Sequence, residues 1–259
     1  MSRELTITET SAKPNLRFWL GLVFFIVTCL GLLFGLTRLL QGMMQENVAP
    51  VSSLVINGNT PYTQQDEIVA AITRAKLDNF FQLDVNQVQM QIEALPWVYS
   101  ATVRKQWPNE LRVYVEDQKP VAQWNSDFFI NEHGTIFQAA QARVQHPLPK
   151  LFGPEGSEKT ALENYQNLNE LLAFIQSDIR ELVLTERFAW QLTLSDGVYL
   201  NLGREDRVKR LQRYMDAYPQ IKAQQTKQQQ VDYVDLRYDT GLAVGFKPIQ
   251  PKEEHNGNA

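Results

Sequence analysis

Three hydrophobic rhythms succeed one another along this chain. The first is an uncharged apolar run from Phe18 to Thr37, closed at its ends by Arg17 and Arg38. About 20 residues rising ~1.5 Å each make a helix ~30 Å long, the thickness of a bilayer's hydrocarbon core. Nothing later is long and apolar enough to cross again, so the pattern predicts one anchor (18–37) in the lipid bilayer. A cytoplasmic tail (1–17) precedes it, and a linker (38–50) leads to a body on the far side.

A cleaved secretory signal is the rival reading. Its apolar core usually spans ~7–15 residues and ends at a small-residue cleavage site. Arg38 to Met44 carries no such site, and Asn47-Val48-Ala49 lies too far downstream. Arg3, Lys13 and Arg17 precede the run, whereas only Arg38 follows it closely. The positive-inside rule therefore keeps the N-terminus cytoplasmic and exports the body. Gly31 and Gly35 have the G-x-x-x-G spacing that lets a second membrane helix approach closely.

Beyond Val51 the rhythm mixes alternation with helical spacing. Val51–Ile56 reads as a strand, with a turn at Asn57-Gly58-Asn59. Thr63–Arg74 places Ile68, Ala71, Ile72 and, just beyond, Ala75 at helical spacing. Asp84 is a good N-cap for a second helix with Val85, Val88, Ile92 and Leu95 on one stripe, ended by Pro96. Val98–Gln106 and Leu111–Glu116 then alternate around the turn at Trp107-Pro108-Asn109. The order β-α-α-β-β over residues 51–119 predicts two helices covering one face of a small sheet.

A third rhythm of short strands starts near Pro120 and occupies 120–249. Val121–Trp124, Phe128–Ile130, and two alternating runs meeting at Ser195-Asp196-Gly197 read as strands. Helical spacing covers about Glu158–Gln176 and Glu205–Tyr218. A last hairpin joins Val231–Tyr238 to Leu242–Phe246 around Asp239-Thr240-Gly241. The polar residues 250–259 read as a disordered tail. The fold class is α+β: one transmembrane helix, the β-α-α-β-β unit, then a mainly antiparallel β-domain with accessory helices.

Composition narrows the chemistry. Twenty-five Lys and Arg against 29 Asp and Glu give a net charge of -4 with no charged block, which argues against a nucleic-acid partner. The sole cysteine, Cys29, sits in the apolar run, so the body has no disulfides. His133, His146 and His255 are isolated, and no nucleophile, metal or phosphate-loop motif occurs. Glu205 and Asp206 read as charges favourably placed in a helix's first turn. No catalytic, metal or cofactor site is expected. What remains are exposed sheet edges and aromatics, above all the last hairpin, where a partner strand can add.

The motifs also carry a family resemblance. Leu95-Pro96-Trp97-Val98, Val103-Arg104-Lys105-Gln106-Trp107-Pro108, Pro120-Val121-Ala122-Gln123-Trp124, Asn201-Leu202-Gly203-Arg204 and Tyr233-Val234-Asp235-Leu236-Arg237-Tyr238-Asp239 resemble the FtsQ/DivIB family of bacterial cell-division proteins, γ-proteobacterial type. The resemblance implies an inner-membrane protein of the division septum with a POTRA domain and a β-domain. It further implies a non-enzymatic scaffold linking early and late division proteins and binding FtsB and FtsL. Matched positions assign FtsB contact to Tyr238, Thr240, Gly241, Phe246 and Arg187, and recruitment to Val85, Ser100, Val103 and Lys105. Family members carry tryptophan at the position of Phe246 and serine at that of Thr240. A competing reading is a POTRA-bearing periplasmic chaperone or transport accessory that binds many extended polypeptides weakly. An envelope hydrolase would instead need a cleft of convergent carboxylates or histidines.

Overall fold

A computed structural model describes residues 16–43, 51–75, 80–226 and 228–249. Residues 1–15 of the tail expected at 1–17, and the tail expected at 250–259, with Arg3, Lys13 and His255, lie outside the described residues. Helix α1 (Leu16–Met43) contains the whole apolar run. It is the one helix among the described residues long and apolar enough to cross a membrane. Among the described residues, and apart from the neighbouring backbone of α1 itself, no atom lies within 4 Å of where a side chain on Gly31 or Gly35 would begin.

The remaining chain forms two compact units. Of the described residues, those up to Asn57 and those within Gln65–Ile92 and Ala101–Tyr114 belong to the first; those within Gly58–Gln64 and Glu93–Ser100 and from Val115 to Ile249 belong to the second. The predicted β-α-α-β-β order is present as β1 (Ser53–Asn59), α2 (Gln65–Arg74), α3 (Val85–Glu93), β2 (Val98–Gln106) and β3 (Glu110–Asp117). The three strands pair in the order β1-β3-β2, which leaves β1 and β2 as edges. Ile68, Ala71, Ile72, Val88 and Ile92 of the helices are buried, as are Ala101, Val103, Leu111 and Val113 in strict alternation on the strands. Asp84 caps α3 as expected, its carboxylate accepting from the Asn86 N–H at 2.9 Å.

In the second unit, Thr63 stays outside α2 because its side chain is committed elsewhere. Its hydroxyl and backbone N–H, with the Tyr62 N–H, all donate to the carboxylate of Asp117 at 2.6–2.8 Å. Asp117 is 3% exposed, so these three bonds replace its water. Nearby, Trp97 stacks on Tyr62 (centroids 4.4 Å apart) and packs beside Phe129 and Phe137.

The rest of the second unit is a nine-stranded sheet. Its strands are β4 (Pro120–Trp124), β5 (Phe128–Asn131), β6 (Ile136–Phe137), β7 (Lys150–Phe152), β8 (Ile179–Leu184), β9 (Trp190–Leu194), β10 (Tyr199–Gly203), β11 (Gln229–Asp235) and β12 (Ala243–Pro248). They lie in the order β12-β11-β10-β9-β8-β7-β4-β5-β6. Five of the eight pairings are antiparallel, as expected, but β4–β7, β7–β8 and β10–β11 are parallel, so the sheet is mixed. The last two follow from crossovers through α4 (Glu158–Ala173) and α5 (Arg207–Ala223), because a strand can return parallel only by way of a long connection.

Register builds the core. Trp124, Leu151, Leu182, Leu192, Leu200, Val234 and Val244 stand side by side across seven strands. Leu168, Leu172, Leu211 and Tyr214 of the two helices are buried in the same cluster. The expected stop of α5 at Tyr218 does not occur, although Pro219 removes one helical N–H. The helix runs on to Ala223 because Ile221, one turn further, is itself buried in the core. The α4 helix, expected to Gln176, ends at Ala173 as the backbone turns at Gln176 with φ +55°.

Candidate partner-binding site

Strand β12 is an outermost strand, hydrogen-bonded only to β11. One row of its main-chain N–H and C=O groups is therefore open to a further strand. Its side chains are half-buried up to Lys247, and Leu242, Val244 and Phe246 rest partly on the core. Phe246 stands opposite Val231, and Gly245 opposite Tyr233.

The link from β11 to β12, residues 236–242, carries the exposed side chains of Tyr238 (57% exposed) and Thr240. Gly241 follows with open space where a side chain would begin. At its start the Leu236 N–H donates to the Asn201 carbonyl at 2.9 Å. Arg237 turns back and grips Asp235 with two nitrogens, Nε to Oδ1 at 3.0 Å and Nη2 to Oδ2 at 2.6 Å. Hydrogen bonding from Arg237 is the main cause that holds the Asp235 carboxyl below its ordinary pKa, and the same pairing raises that of Arg237. From helix α5, Arg213 donates to the carbonyls of Tyr238, Asp239 and Gly241.

Arg187 lies in the turn between β8 and β9, which is closed by the Thr185 N–H donating to the Ala189 carbonyl at 3.0 Å. That turn lines an open cleft of about 790 Å³ shared with Gln191, Asn201, Arg204, Arg210 and Arg237, plus Glu186 and Glu205. Arg210 is fixed by donating to the Leu202 carbonyl at 2.5 Å. Gly203, at φ +70°, leaves room for it: a side chain there would begin 2.6 Å from Arg210 Nη1. Four guanidiniums, offset by Glu186, Glu205 and the Asp235 already paired to Arg237, leave the cleft a positive excess that favours acidic groups on whatever enters it.

The structure thus gathers Arg187 with Arg237, the residue just before Tyr238, and sets Tyr238, Thr240, Gly241 and Phe246 on or beside one edge. The cleft partners Arg204 and Arg237 entered the sequence reading only within family motifs and without a role, and Arg210 and the brace Arg213 did not enter it. Their arginines are scattered over three elements and share no spacing that marks a site.

The recruitment positions fall apart. Val103 is 7% exposed and belongs to the core; only its main chain lies on the edge strand β2. Val85 and Ser100 are half-buried. Lys105 is exposed, donates to the Phe81 carbonyl at 3.1 Å and sits 5.5 Å from the Phe80 ring. Among the described residues no group of three or more His, Cys, Asp or Glu could hold a metal ion.

A β-α-α-β-β unit followed by a mixed sheet with an open terminal edge is the arrangement of a POTRA domain joined to a β-rich domain. Residues 49–118 match the family model "POTRA domain, FtsQ-type", and residues 122–237 match "Cell division protein FtsQ/DivIB, C-terminal". The chain is 38% identical to the cell division protein FtsQ of Escherichia coli (strain K12) over 250 residues, 95% of this chain and 91% of that one. It is also 38% identical to FtsQ of Shewanella oneidensis over 242 residues, and 36% identical to FtsQ of Vibrio cholerae over 234. These alignments cover 93% and 89% of this chain, and 91% and 88% of the relatives. The chain belongs to the FtsQ/DivIB family of cell division proteins, which are scaffolds rather than enzymes.

Proposed function

We propose that this protein is a single-pass scaffold of the bacterial inner membrane, with its N-terminus cytoplasmic and its body periplasmic. At the division septum it links early to late division proteins and binds the FtsB–FtsL complex. The C-terminal segment of FtsB adds as a strand to β12, Tyr238 and Phe246 serve as apolar anchors, and Thr240 and Gly241 line its path. Arg187 pairs with an acidic residue of the same segment. The observation that carries this reading is the open edge of β12, with the exposed Tyr238 in the link leading to it and Arg237, next to Tyr238, lining the four-arginine cleft. Tethering both partners to one membrane raises their effective concentration. Ser100, Lys105 and the main chain of β2 are proposed as a separate recruitment surface, to which Val85 and Val103 contribute through packing.

Titration of the detergent-solubilised chain with the periplasmic region of FtsB tests the reading. Tyr238→Ala is expected to weaken binding by more than ~2 kcal/mol, the scale of an interface hot spot, with the thermal unfolding midpoint unchanged. Equal affinity of Tyr238→Ala and wild type would remove Tyr238 from the site. Equally weak binding of unrelated extended peptides would favour a chaperone instead.

A further inference from the structure

The residues assigned to partner contact at the β11–β12 link do not hold their own shape. Among the described residues, the only hydrogen bonds to the backbone of Tyr238–Leu242 come from one side chain, Arg213 of α5. Its Nη1 donates to the Tyr238 carbonyl at 2.5 Å and to the Gly241 carbonyl at 3.0 Å, and its Nη2 to the Asp239 carbonyl at 2.8 Å. Strand pairing resumes only at Ala243, opposite Asp235. The side chain of Gly241 would meet nothing within 4 Å, so packing at that position adds no restraint. Tyr238, Asp239 and Thr240 are all exposed. Such a segment, with few contacts of its own, samples many conformations unless something fixes it.

We infer that Arg213 is a positioning residue of the partner site: its guanidinium braces the Tyr238–Gly241 turn in the conformation that receives the partner strand. This inference rests on the proposed strand addition at β12. Three carbonyls converge on one planar fork, a task for which arginine is shaped and lysine is not. Arg213 sits on the helix behind the edge, so it need not touch the partner. It acts by keeping the competent turn populated, and apparent affinity falls in proportion to any loss of that population. Helix α5 is held in turn by Leu211, Tyr214 and Ile221 in the core, which makes the brace rigid. Binding strength is thereby tied to the seating of α5.

The test compares wild type, Arg213→Lys, Arg213→Met and Tyr238→Ala in the full chain. Backbone order parameters of residues 238–242, from nitrogen-15 relaxation, are read without partner, because Arg213 binds carbonyls and leaves the amide N–H groups of the turn to solvent. Affinity and association rate are read with the periplasmic region of FtsB. Arg213→Lys keeps the charge and lets α5 fold, yet is expected to lower the order of the turn. It should also weaken binding about tenfold, mostly through slower association, if the competent turn drops to roughly one tenth of the population. Arg213→Met should do the same, whereas Tyr238→Ala should weaken binding without altering order elsewhere in the turn. Wild-type order in Arg213→Lys overturns the brace. Lower order with unchanged affinity overturns its role in binding, and weaker binding with unchanged order makes Arg213 a direct contact instead. If wild type itself fails to bind, the strand-addition reading falls, while the partner-free order parameters still decide whether Arg213 orders the turn.

Discussion

The ring of Tyr233 fills the space beside Gly245, its direct neighbour across β11 and β12: a side chain on Gly245 would begin 2.1 Å from Tyr233 Cε1 and 2.6 Å from Cδ1 and Cζ. Glycine normally weakens a strand, and here the neighbouring ring covers the backbone it exposes. Gly245→Ala is expected to cost about 1–3 kcal/mol, as overpacking does, measured by denaturant unfolding of the solubilised chain. In a Tyr233→Ala background the same change should cost much less, because the clash is gone. Equal costs in both backgrounds would mean that the ring is not the obstacle.

Asp117 offers a sharper stability test. Asp117→Ala leaves the Tyr62 N–H and both Thr63 donors without their acceptor in a buried place. Each stranded donor costs about 1–3 kcal/mol, so a total loss of about 3 kcal/mol or more is expected. Thr63→Val, which removes only the hydroxyl, should cost distinctly less. Similar losses for the two variants would show that the backbone donors find other partners.

Charge reversal at Arg187 probes the cleft without disturbing the core, since the side chain is exposed. Arg187→Glu is expected to weaken FtsB binding, and the deficit should shrink as ionic strength rises and screening shortens the reach of charge. A deficit that does not change with salt would point to lost local packing in the Thr185–Ala189 turn.

The Asp235–Arg237 pair predicts an acid response. Because its native pKa lies below the ordinary 3.8, Asp235 contributes stability that is present above that value and lost as pH falls through the native one. Asp235→Asn should therefore flatten this part of the stability profile below about pH 4, while its effect at neutral pH is a constant offset. An unchanged acid limb in the variant would mean that other carboxylates set it.

Much of the fold was legible because its signals are local. Ile68, Ala71 and Ile72 repeat at helical spacing, Leu111, Val113 and Val115 alternate, and each pattern reports the face its own element buries. The strands Ile179–Leu184 and Lys150–Phe152 were not legible. Lys150–Phe152 is too short to show a period, and both lie mid-sheet through parallel pairing with strands remote in sequence. The end of α5 was misjudged for a related reason: Pro219 is a local stop signal, but burial of Ile221 outweighs it. Site residues were assigned through resemblance, and Val103 shows the limit of that route, since its side chain faces the core.

The chain by itself determined the apolar helix around Phe18–Thr37, the β-α-α-β-β order and the lack of any catalytic motif, because length, period and residue type are properties of neighbours in sequence. Tertiary structure alone decided that β12 is an edge, that four arginines from three loops and one helix share one cleft, and that Arg213 grips the turn carrying Tyr238. These depend on strand register and on crossovers through α4 and α5, which bring together residues that no local spacing connects.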